Sequence, residues 1–311
     1  EYIPGIPRIP FSKRAEEKLT VPYRDFLKRA RILTANVDAV TPEAVEAGAE
    51  RLPFDTCVVC PGAIYPVHLD NRRNVFTLAS VEDARQIREA LVDARRILIV
   101  GGGTVGTEFA AELATRTPDT SVTVVHGMER LLERNPLRAS EYARRFLEKR
   151  GVEIFMNDLV VRHEGQEFET KSGRRIAADL AVWSGGIRPN PPEMNGFDDA
   201  IFTDRKALRV NQSLQLRGYP NIYVGGDVTE VQEEKTAQNA ERQAAVIAGN
   251  ILRQIAGKPL REYRPRSGPL VISLGPRCGV MTWKSHTLRG ILPGLLKWMV
   301  ESLILFQFRP R

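Results

Sequence analysis

Residues 95–114, which read RRILIVGGGTVGTEFAAELA, limit most strongly how this chain can fold. Residues 97–100 form a short apolar run with β-branched side chains, which is typical of a buried parallel strand. Gly101, Gly103 and Gly106 follow as G-x-G-x-x-G. The first glycine permits a tight turn, the second lets a pyrophosphate approach the backbone, and the third lets a helix lie close to the strand. The stretch therefore predicts the start of a dinucleotide-binding domain.

The helix after this turn is predicted to begin near Thr104. Its free N–H groups and its dipole favour an anion, so we expect Thr104 and Val105 to contact the pyrophosphate together with the three glycines. A second apolar strand, SVTVVHG, follows at the distance that such a domain requires. A glycine-rich turn that binds no ligand is the alternative interpretation.

The end of the second strand normally selects the nucleotide. An acidic residue about 20 positions after the glycines would bind an adenosine ribose. This chain has His126 there instead, and Arg130 follows one turn later. The missing acid and the nearby arginine slightly favour a 2′-phosphate, although Arg130 as a solvated surface charge is the alternative. Both residues are candidates for cofactor binding, and the choice between NADH and NADPH stays open.

Length and composition are those of a globular chain. The 311 residues suffice for two α/β domains with their own cores, and the hydrophobic fraction is 42%. The sequence contains no run of 18 apolar residues, so no membrane-spanning helix is predicted. The chain begins with Glu1 and shows no apolar signal region, from which we expect a processed or trimmed start.

The basic surplus lies at the C-terminal end. Residues 258–311 contain ten Lys or Arg against Glu262 and Glu301, whereas the rest of the chain is nearly balanced. Such a piece suits an anionic membrane surface, a large protein assembly or RNA, and a solvated basic surface is the alternative.

The last segment, GILPGLLKWMVESLILFQFRPR, is predicted to be an amphipathic helix at a membrane surface, with packing on the body or on a partner subunit as the alternative. Its apolar residues recur at helical spacing, and four further residues would lie at the lipid headgroups. The apolar residues are Leu292, Leu295, Leu296, Met299, Leu303 and Phe306, and the headgroup residues are Lys297, Trp298, Arg309 and Arg311.

Three cysteines in a chain of this length indicate a reducing compartment without a disulfide framework. Cys57 and Cys60 have the spacing of a redox dithiol, but residues three apart on a strand point to opposite faces. We interpret them as a structural pair. His163 stands alone in a charged, hairpin-like segment, so no metal site is predicted.

Other segments indicate an α/β order. The first residues, EYIPGIPRIP, are interrupted by prolines and are predicted to be irregular. Ser80 is predicted to cap one helix, and others are predicted over 138–150 and 236–257. Three strands, in CVVCPG, AVWSGG and IYVGGD, end in small or glycine-rich turns, and such ends are where parallel sheets bind ligands.

This order of motifs resembles the flavoprotein reductases with two dinucleotide-binding domains, and within them the apoptosis-inducing-factor-like, ferroptosis-suppressor type and the type II NADH dehydrogenases. ILIVGGGTVGTEFAAELA resembles their NAD(P)H-binding motif, and CVVCPGA stands where they have a strand ending in Ala-Thr-Gly. AVWSGGIRPN resembles their crossover, NIYVGGDVTE their flavin-contacting strand, and EKTAQNAERQA their helix beside the flavin ring.

The resemblance implies an α/β fold with two Rossmann-like, FAD/NAD(P)-binding domains, one inserted in the other, and a small C-terminal α+β piece. Its implied bounds are 1–90 and 193–262 for the flavin-type domain, 91–192 for the NAD(P)H-binding domain and 263–311 for the C-terminal piece.

The resemblance also implies an activity. Hydride would pass from NADH or NADPH to FAD, and electrons would then pass to a quinone at a mitochondrial, membrane-associated site. Glu108 would lie near the meeting point of the cofactors, Lys235 would favour reduced anionic flavin, and Gln243 would face the quinone. The implied flavin contacts, together with the glycines that end the matched strands, are Gly62, Gly186, Gly226, Asp227, Thr236 and Ala237.

The chain departs from that family in one respect that bears on FAD. It contains a single G-x-G-x-x-G and begins downstream of the expected flavin ADP unit. Three interpretations are open: this sequence omits an N-terminal segment, a separate polypeptide supplies it, or the fold is kept without flavin chemistry. The last makes the chain a non-catalytic subunit of a large mitochondrial assembly. A disulfide reductase is a third function, which the strand position of Cys57 and Cys60 disfavours.

Overall fold

The computed structural model describes residues 2–308. Within that range the α-helices are α1 Lys13–Leu19, α2 Tyr23–Phe26, α3 Val81–Ala90, α4 Thr104–Arg116, α5 Leu137–Glu148, α6 Ala237–Ile255 and α7 Ile291–Gln307. Short 3₁₀ helices span Ile3–Phe11, Asp199–Ile201 and Gly226–Val228.

The strands are short and lie between residues 39 and 290. They are β1 Ala39–Val40, β2 Ala44–Ala47, β3 Glu50–Pro53, β4 Cys57–Val59, β5 Ala63–Ile64, β6 Val75–Phe76, β7 Arg96–Val100, β8 Ser121–His126, β9 Glu153–Met156, β10 Val160–Glu164, β11 Glu167–Thr170, β12 Arg175–Ala177, β13 Leu180–Trp183, β14 Arg188–Pro189, β15 Glu193–Met194, β16 Gln215–Leu216, β17 Tyr219–Val224, β18 Leu270–Leu274, β19 Cys278–Trp283 and β20 His286–Gly290.

The chain divides into two compact units. The first unit comprises 2–30, 65–186 and 268–308, and the second comprises 31–64 and 187–267. Residues 2–30 and 268–308 both belong to the first unit, and the predicted domain bounds stay a prediction. There the 3₁₀ helix Ile3–Phe11 packs on α3 and α4, and β18 packs on α4.

The first unit is built on a five-stranded parallel sheet in the order β6-β13-β7-β8-β9. Alternate residues of β7 point to opposite faces of this sheet. Ile97 and Ile99 pack in the cluster that contains Phe109 of α4, whereas Leu98 packs with Phe168 of the antiparallel sheet β10-β11-β12. Both faces of β7 are therefore covered, and the predicted α/β fold class is confirmed.

The start of the chain forms more regular structure than its prolines indicate. Ile3–Phe11 is a 3₁₀ helix, so the expectation of an irregular segment was wrong. Proline fixes φ near the helical value, and its missing N–H costs little where few helical hydrogen bonds exist. Ile6 and Ile9, three residues apart, lie on one side of the 3₁₀ helix and are buried with Leu19.

Asp179 ties β7 to the loop before β13. Its carboxylate accepts the backbone N–H groups of Arg95 at 3.0 Å and Arg96 at 2.9 Å, and it pairs with the Arg96 guanidinium at 2.6 Å. The guanidinium, more than any other group, lowers the pKa of Asp179 to about 2.

This lowered pKa predicts an acid-sensitive contribution to stability. The contribution is present above the ordinary pKa of 3.8 and is lost as the pH falls towards about 2. We expect Asp179→Asn to lower the free energy of unfolding at pH 7 by about 1 kcal/mol, because Arg96 is partly exposed to solvent. Urea denaturation at pH 7 and at pH 3 checks this, since the difference between wild type and variant should shrink at pH 3. An unchanged difference would contradict it.

The second unit contains the sheet β16-β17-β4, in which β17 and β4 run parallel. Val59, Ile222 and Val224 of these strands are buried in one cluster. Helix α6 buries Ile247 with Tyr223. In the described chain β4 pairs with β17 alone, so β4 is an edge strand.

The C-terminal segment of the first unit forms the antiparallel sheet β18-β19-β20 and helix α7. The predicted apolar residues are indeed on α7, and most of them are exposed. Lys297 is mostly buried and bonds Glu108 and Ser273, so its expected position at lipid headgroups was wrong. Arg309 and Arg311 lie outside the described residues. Within residues 2–308 no helix has the length and apolar character needed to span a bilayer.

Candidate functional site

The glycine turn joins β7 to α4 and leaves no room for side chains at two of its positions. Gly101 has φ +108°, and a Cβ atom on it would lie 2.4 Å from the carbonyl oxygen of Ser184. A Cβ atom on Gly106 would lie 1.9 Å from the carbonyl oxygen of Gly101. The helix thus lies directly against the strand end, as the spacing of the glycines predicts.

Gly103 is different, because its surroundings are open. A Cβ atom there would meet nothing within 4 Å, and Gly103 caps α4 without any side chain that bonds the helix start. The first N–H groups of an α-helix have no acceptor inside the helix. Partly exposed Thr104 and Val105 follow, so this turn offers free donors and the positive end of a helix dipole to an anion. The geometry fits a diphosphate.

His126 lies behind the glycine turn. Its Nδ1 accepts the N–H of Gly102 at 3.0 Å, and its Nε2 lies 3.2 Å from a carboxylate oxygen of Glu133. The Arg130 guanidinium donates to the carbonyl oxygens of Asn135, at 2.9 Å, and Glu133. Both predicted residues therefore hold the loop after β8, and a direct cofactor contact for either stays a prediction.

Glu108 is buried on α4. Its carboxylate accepts the Ser273 N–H at 2.7 Å and the Ser273 hydroxyl at 3.0 Å, and it pairs with the Lys297 ammonium. The carboxylate thus links α4 to β18 and α7 within the first unit.

In the second unit, β17 ends at a glycine turn that positions an acid. Gly226 has φ +78°, and Asp227 follows it in a 3₁₀ turn. Burial raises the pKa of the half-buried Asp227, and the positive charge of Lys235 opposes that shift. Among the described residues no group donates a hydrogen bond to its carboxylate. The half-buried Asp227 carboxylate is therefore suited to a ligand whose hydroxyl groups donate hydrogen bonds to it.

Gln243 and Lys235 support this turn. The Gln243 side chain is 2% exposed; its amide oxygen accepts the Gly226 N–H at 2.7 Å, and its amide nitrogen donates to Glu233 at 2.7 Å. Gln243 therefore positions Gly226, and its burial leaves almost none of it accessible to a quinone. Lys235 donates to the carbonyl oxygens of Thr229, at 2.8 Å, and Val231, at 3.2 Å, and burial lowers its pKa.

The remaining predicted flavin contacts are accessible. The Thr236 hydroxyl accepts the Asn239 N–H at 3.3 Å and caps α6, and Ala237 is exposed. Gly62 and Gly186 both have positive φ, and a Cβ atom on either would meet nothing within 4 Å.

Both cysteines of the C-x-x-C segment have raised pKa values. Burial, with a smaller effect of Cys60, raises the pKa of Cys57 to about 11, and burial also raises that of Cys60. Their thiols are therefore protonated at neutral pH, which disfavours dithiol chemistry. Within residues 2–308 no group of His, Cys, Asp and Glu side chains could hold a metal ion.

Residues 7–244 match the model of the pyridine nucleotide-disulphide oxidoreductase family. This chain belongs to that family. The matched range includes the turn from Gly101 to Gly106 described above, for which nucleotide binding stays a prediction. Members of this family are oxidoreductases, so we assign this chain as an oxidoreductase. The family name also agrees with a pyridine nucleotide as the ligand of that turn.

Curated relatives include two that cover most of this chain. Ferroptosis suppressor protein 1 of Mus musculus is 26% identical over 280 residues, which is 87% of this chain and 74% of that protein. The FAD-dependent oxidoreductase FVFD30 of Flammulina velutipes is 27% identical over 306 residues, or 91% of this chain and 92% of that protein.

Two solved structures share the fold of this chain. NDH2 from Plasmodium falciparum in complex with NADH has a TM-score of 0.86 at 14% identity, covering 98% of this chain and 87% of that one. The sulfide:quinone oxidoreductase from Aquifex aeolicus has a TM-score of 0.85 at 18% identity, and the match covers 99% of this chain and 82% of that one. At these identities the likeness shows the fold alone, and it agrees with the predicted two-Rossmann architecture.

Glu133 was missed in the sequence. It lies seven positions after His126, beyond the strand end where an acid is normally expected, and the structure brings it back to the imidazole. The single acid of the LLER segment, residues 131–134, was the available signal, although only the loop conformation brings it to the strand end.

Proposed function

We propose that this chain is a FAD-dependent NAD(P)H oxidoreductase that passes electrons to a quinone-type acceptor. The observation that carries the proposal is the open, uncapped start of α4 at Gly103. Family membership supports a pyridine nucleotide, and one curated relative is named a FAD-dependent oxidoreductase. Similar solved folds are an NADH complex of NDH2 and a sulfide:quinone oxidoreductase.

The nucleotide is bound by the first unit in this account. The backbone N–H groups after Gly103 receive the pyrophosphate, because they are free and lie at the positive end of α4. Gly101 and Gly106 keep the turn tight, and the Ser184 hydroxyl fastens it by donating to the carbonyl oxygens of Val100 and Gly101, each at 3.1 Å. The turn is thereby held in shape before the nucleotide arrives.

The second unit supplies the residues that would hold FAD. When bound, FAD accepts two electrons from a nicotinamide and releases them to an acceptor. Asp227 would accept hydrogen bonds from the ribityl hydroxyls of FAD, and Gln243 holds Gly226, the residue before Asp227. Lys235 and the start of α6 provide positive charge in the same unit, which favours an electron-rich ring.

Measurement of FAD binding tests the role proposed for Asp227. We expect Asp227→Asn to weaken FAD binding by about tenfold or more, because a charged acceptor of hydroxyl hydrogen bonds becomes neutral. FAD reconstitution followed by flavin absorbance measures this, with NADH oxidation by a soluble quinone as the second readout. Asp204→Asn, at an exposed site of the second unit, is the matched control and should behave as wild type. Equal FAD affinity in Asp227→Asn and wild type would contradict the assignment.

We also propose that α7 holds the protein at a membrane surface. Its exposed apolar residues form one side of a helix, and the surrounding C-terminal segment carries the basic surplus. A contiguous exposed apolar surface of this kind is typical of an interaction site. The mitochondrial location stays a prediction.

Vesicle binding tests this surface. We expect Leu303→Glu to weaken binding to vesicles of anionic phospholipid by about tenfold, because it places a charge on the inserted face. Leu252→Glu on α6 is the control, since Leu252 is 68% exposed and Leu303 is 61% exposed. Co-sedimentation measures both. If the two variants bind equally, or if wild type does not sediment with vesicles, α7 is not a membrane surface.

A further inference from the structure

The loop after β8 brings the Glu133 carboxylate close to the end of β8, where the sequence has His126 instead of an acid. Nδ1 of His126 faces the Gly102 N–H, so this nitrogen is the acceptor and the imidazole proton lies on Nε2. Nε2 then donates to Glu133 at 3.2 Å. A single imidazole therefore links the glycine turn to the Glu133 carboxylate.

The Glu133 carboxylate lies 3.2 Å from the side chain at the strand end that contacts the adenosine ribose in Rossmann domains. His126 is the last residue of β8, and an acid at that strand end ordinarily binds the adenosine ribose hydroxyls. Glu133 is 25% exposed, so the carboxylate remains accessible to a ligand while its other side holds His126.

Two arginines lie near Glu133: Arg130 is held by the loop itself, whereas the Arg134 side chain is 69% exposed. The Arg130 guanidinium bonds the carbonyl oxygens of Glu133 and Asn135, which removes it from a 2′-phosphate. Arg134 lies 3.8 Å from the second carboxylate oxygen of Glu133. A 2′-phosphate approaching this carboxylate would meet a like charge.

We propose that Glu133, held in place by His126, makes this site select NADH over NADPH. This inference rests on the proposed function, because it assumes that the glycine turn binds the nucleotide diphosphate. Glu133 accepts the ribose hydroxyls of NADH and repels the 2′-phosphate of NADPH, and His126 fixes the distance between carboxylate and turn.

Two probes without a nicotinamide measure the preference between NADH and NADPH without any catalytic step. ADP-ribose and 2′-phospho-ADP-ribose are titrated calorimetrically into the whole chain. We expect wild type to bind ADP-ribose at least about tenfold more tightly, and Glu133→Gln to bring the two affinities to within about threefold. Glu129→Gln is the matched control: it is an exposed carboxylate of the same loop, and it should keep the wild-type ratio.

Two results would overturn the inference while leaving the proposed function intact. In the first, wild type binds the 2′-phosphorylated probe at least as tightly as ADP-ribose. In the second, Glu133→Gln keeps the wild-type ratio. If neither probe binds wild type, the glycine turn is not a nucleotide site, and the proposed function fails together with the inference.

Discussion

Gly106→Ala is expected to lower the free energy of unfolding of this protein by about 3 kcal/mol. The added Cβ atom would lie 1.9 Å from the carbonyl oxygen of Gly101 and 2.5 Å from the Ser184 hydroxyl. Gly101 cannot easily move away, because its N–H bonds the carbonyl oxygen of Val125 at 2.8 Å and its own Cα faces Ser184. Helix α4 must therefore shift away from β7 and lose packing of Phe109.

Urea denaturation measures this effect, and a second glycine supplies the control. Gly249 lies inside α6, where a Cβ atom would meet nothing within 4 Å. Gly249→Ala should stabilise the protein by about 0.5–1 kcal/mol, because alanine is the better helix former. Similar stabilities for the two variants would show that α4 does not lie against the strand end as described.

Gly103→Val is expected to weaken NADH binding by at least about a hundredfold while leaving the fold intact. Gly103 has φ −70°, which valine adopts, and the space around its Cβ position is open in the protein. In the complex that space is where the diphosphate approaches the backbone, so the valine side chain would displace it. The main loss should therefore be in NADH affinity, with only a small loss in the free energy of unfolding from the poorer N-cap.

Calorimetric titration with NADH and urea denaturation, performed on the same preparation, separate the two quantities. The expected result is an unfolding free energy lowered by no more than about 1 kcal/mol, because valine is a poorer N-cap than glycine, together with lost NADH binding. Unchanged NADH affinity would place the nucleotide elsewhere. A large loss of stability would mean that the turn around Gly103 is packed rather than open.

The parts of the fold that sequence could predict are those set by local patterns. The apolar run of β7, the three glycines and the periodicity of α4 specify neighbouring elements, and the structure confirms their order and bounds to within a few residues. Ser80 caps α3 as predicted, because its hydroxyl accepts the Asp83 N–H at 3.0 Å. Each of these features needs only residues that are close in sequence.

The parts that sequence could not predict depend on distant contacts. Glu108 and Lys297 are 189 residues apart, and no local pattern pairs them. The 3₁₀ helix Ile3–Phe11 is stabilised by burial of Ile6 and Ile9 against α3 and α4, which overrides the effect of its prolines. Glu133 reaches His126 only through the loop conformation that Arg130 holds.

Anaerobic mixing of the FAD-reconstituted protein with NADH, followed by flavin absorbance, tests the central claim most directly. That claim is that this protein binds a reduced pyridine nucleotide at the turn at Gly103 and passes its electrons to FAD. We predict that the oxidised flavin band disappears in wild type before any quinone is added, and that it persists in Gly103→Val. A wild-type protein that binds both NADH and FAD but keeps its flavin oxidised would contradict the account.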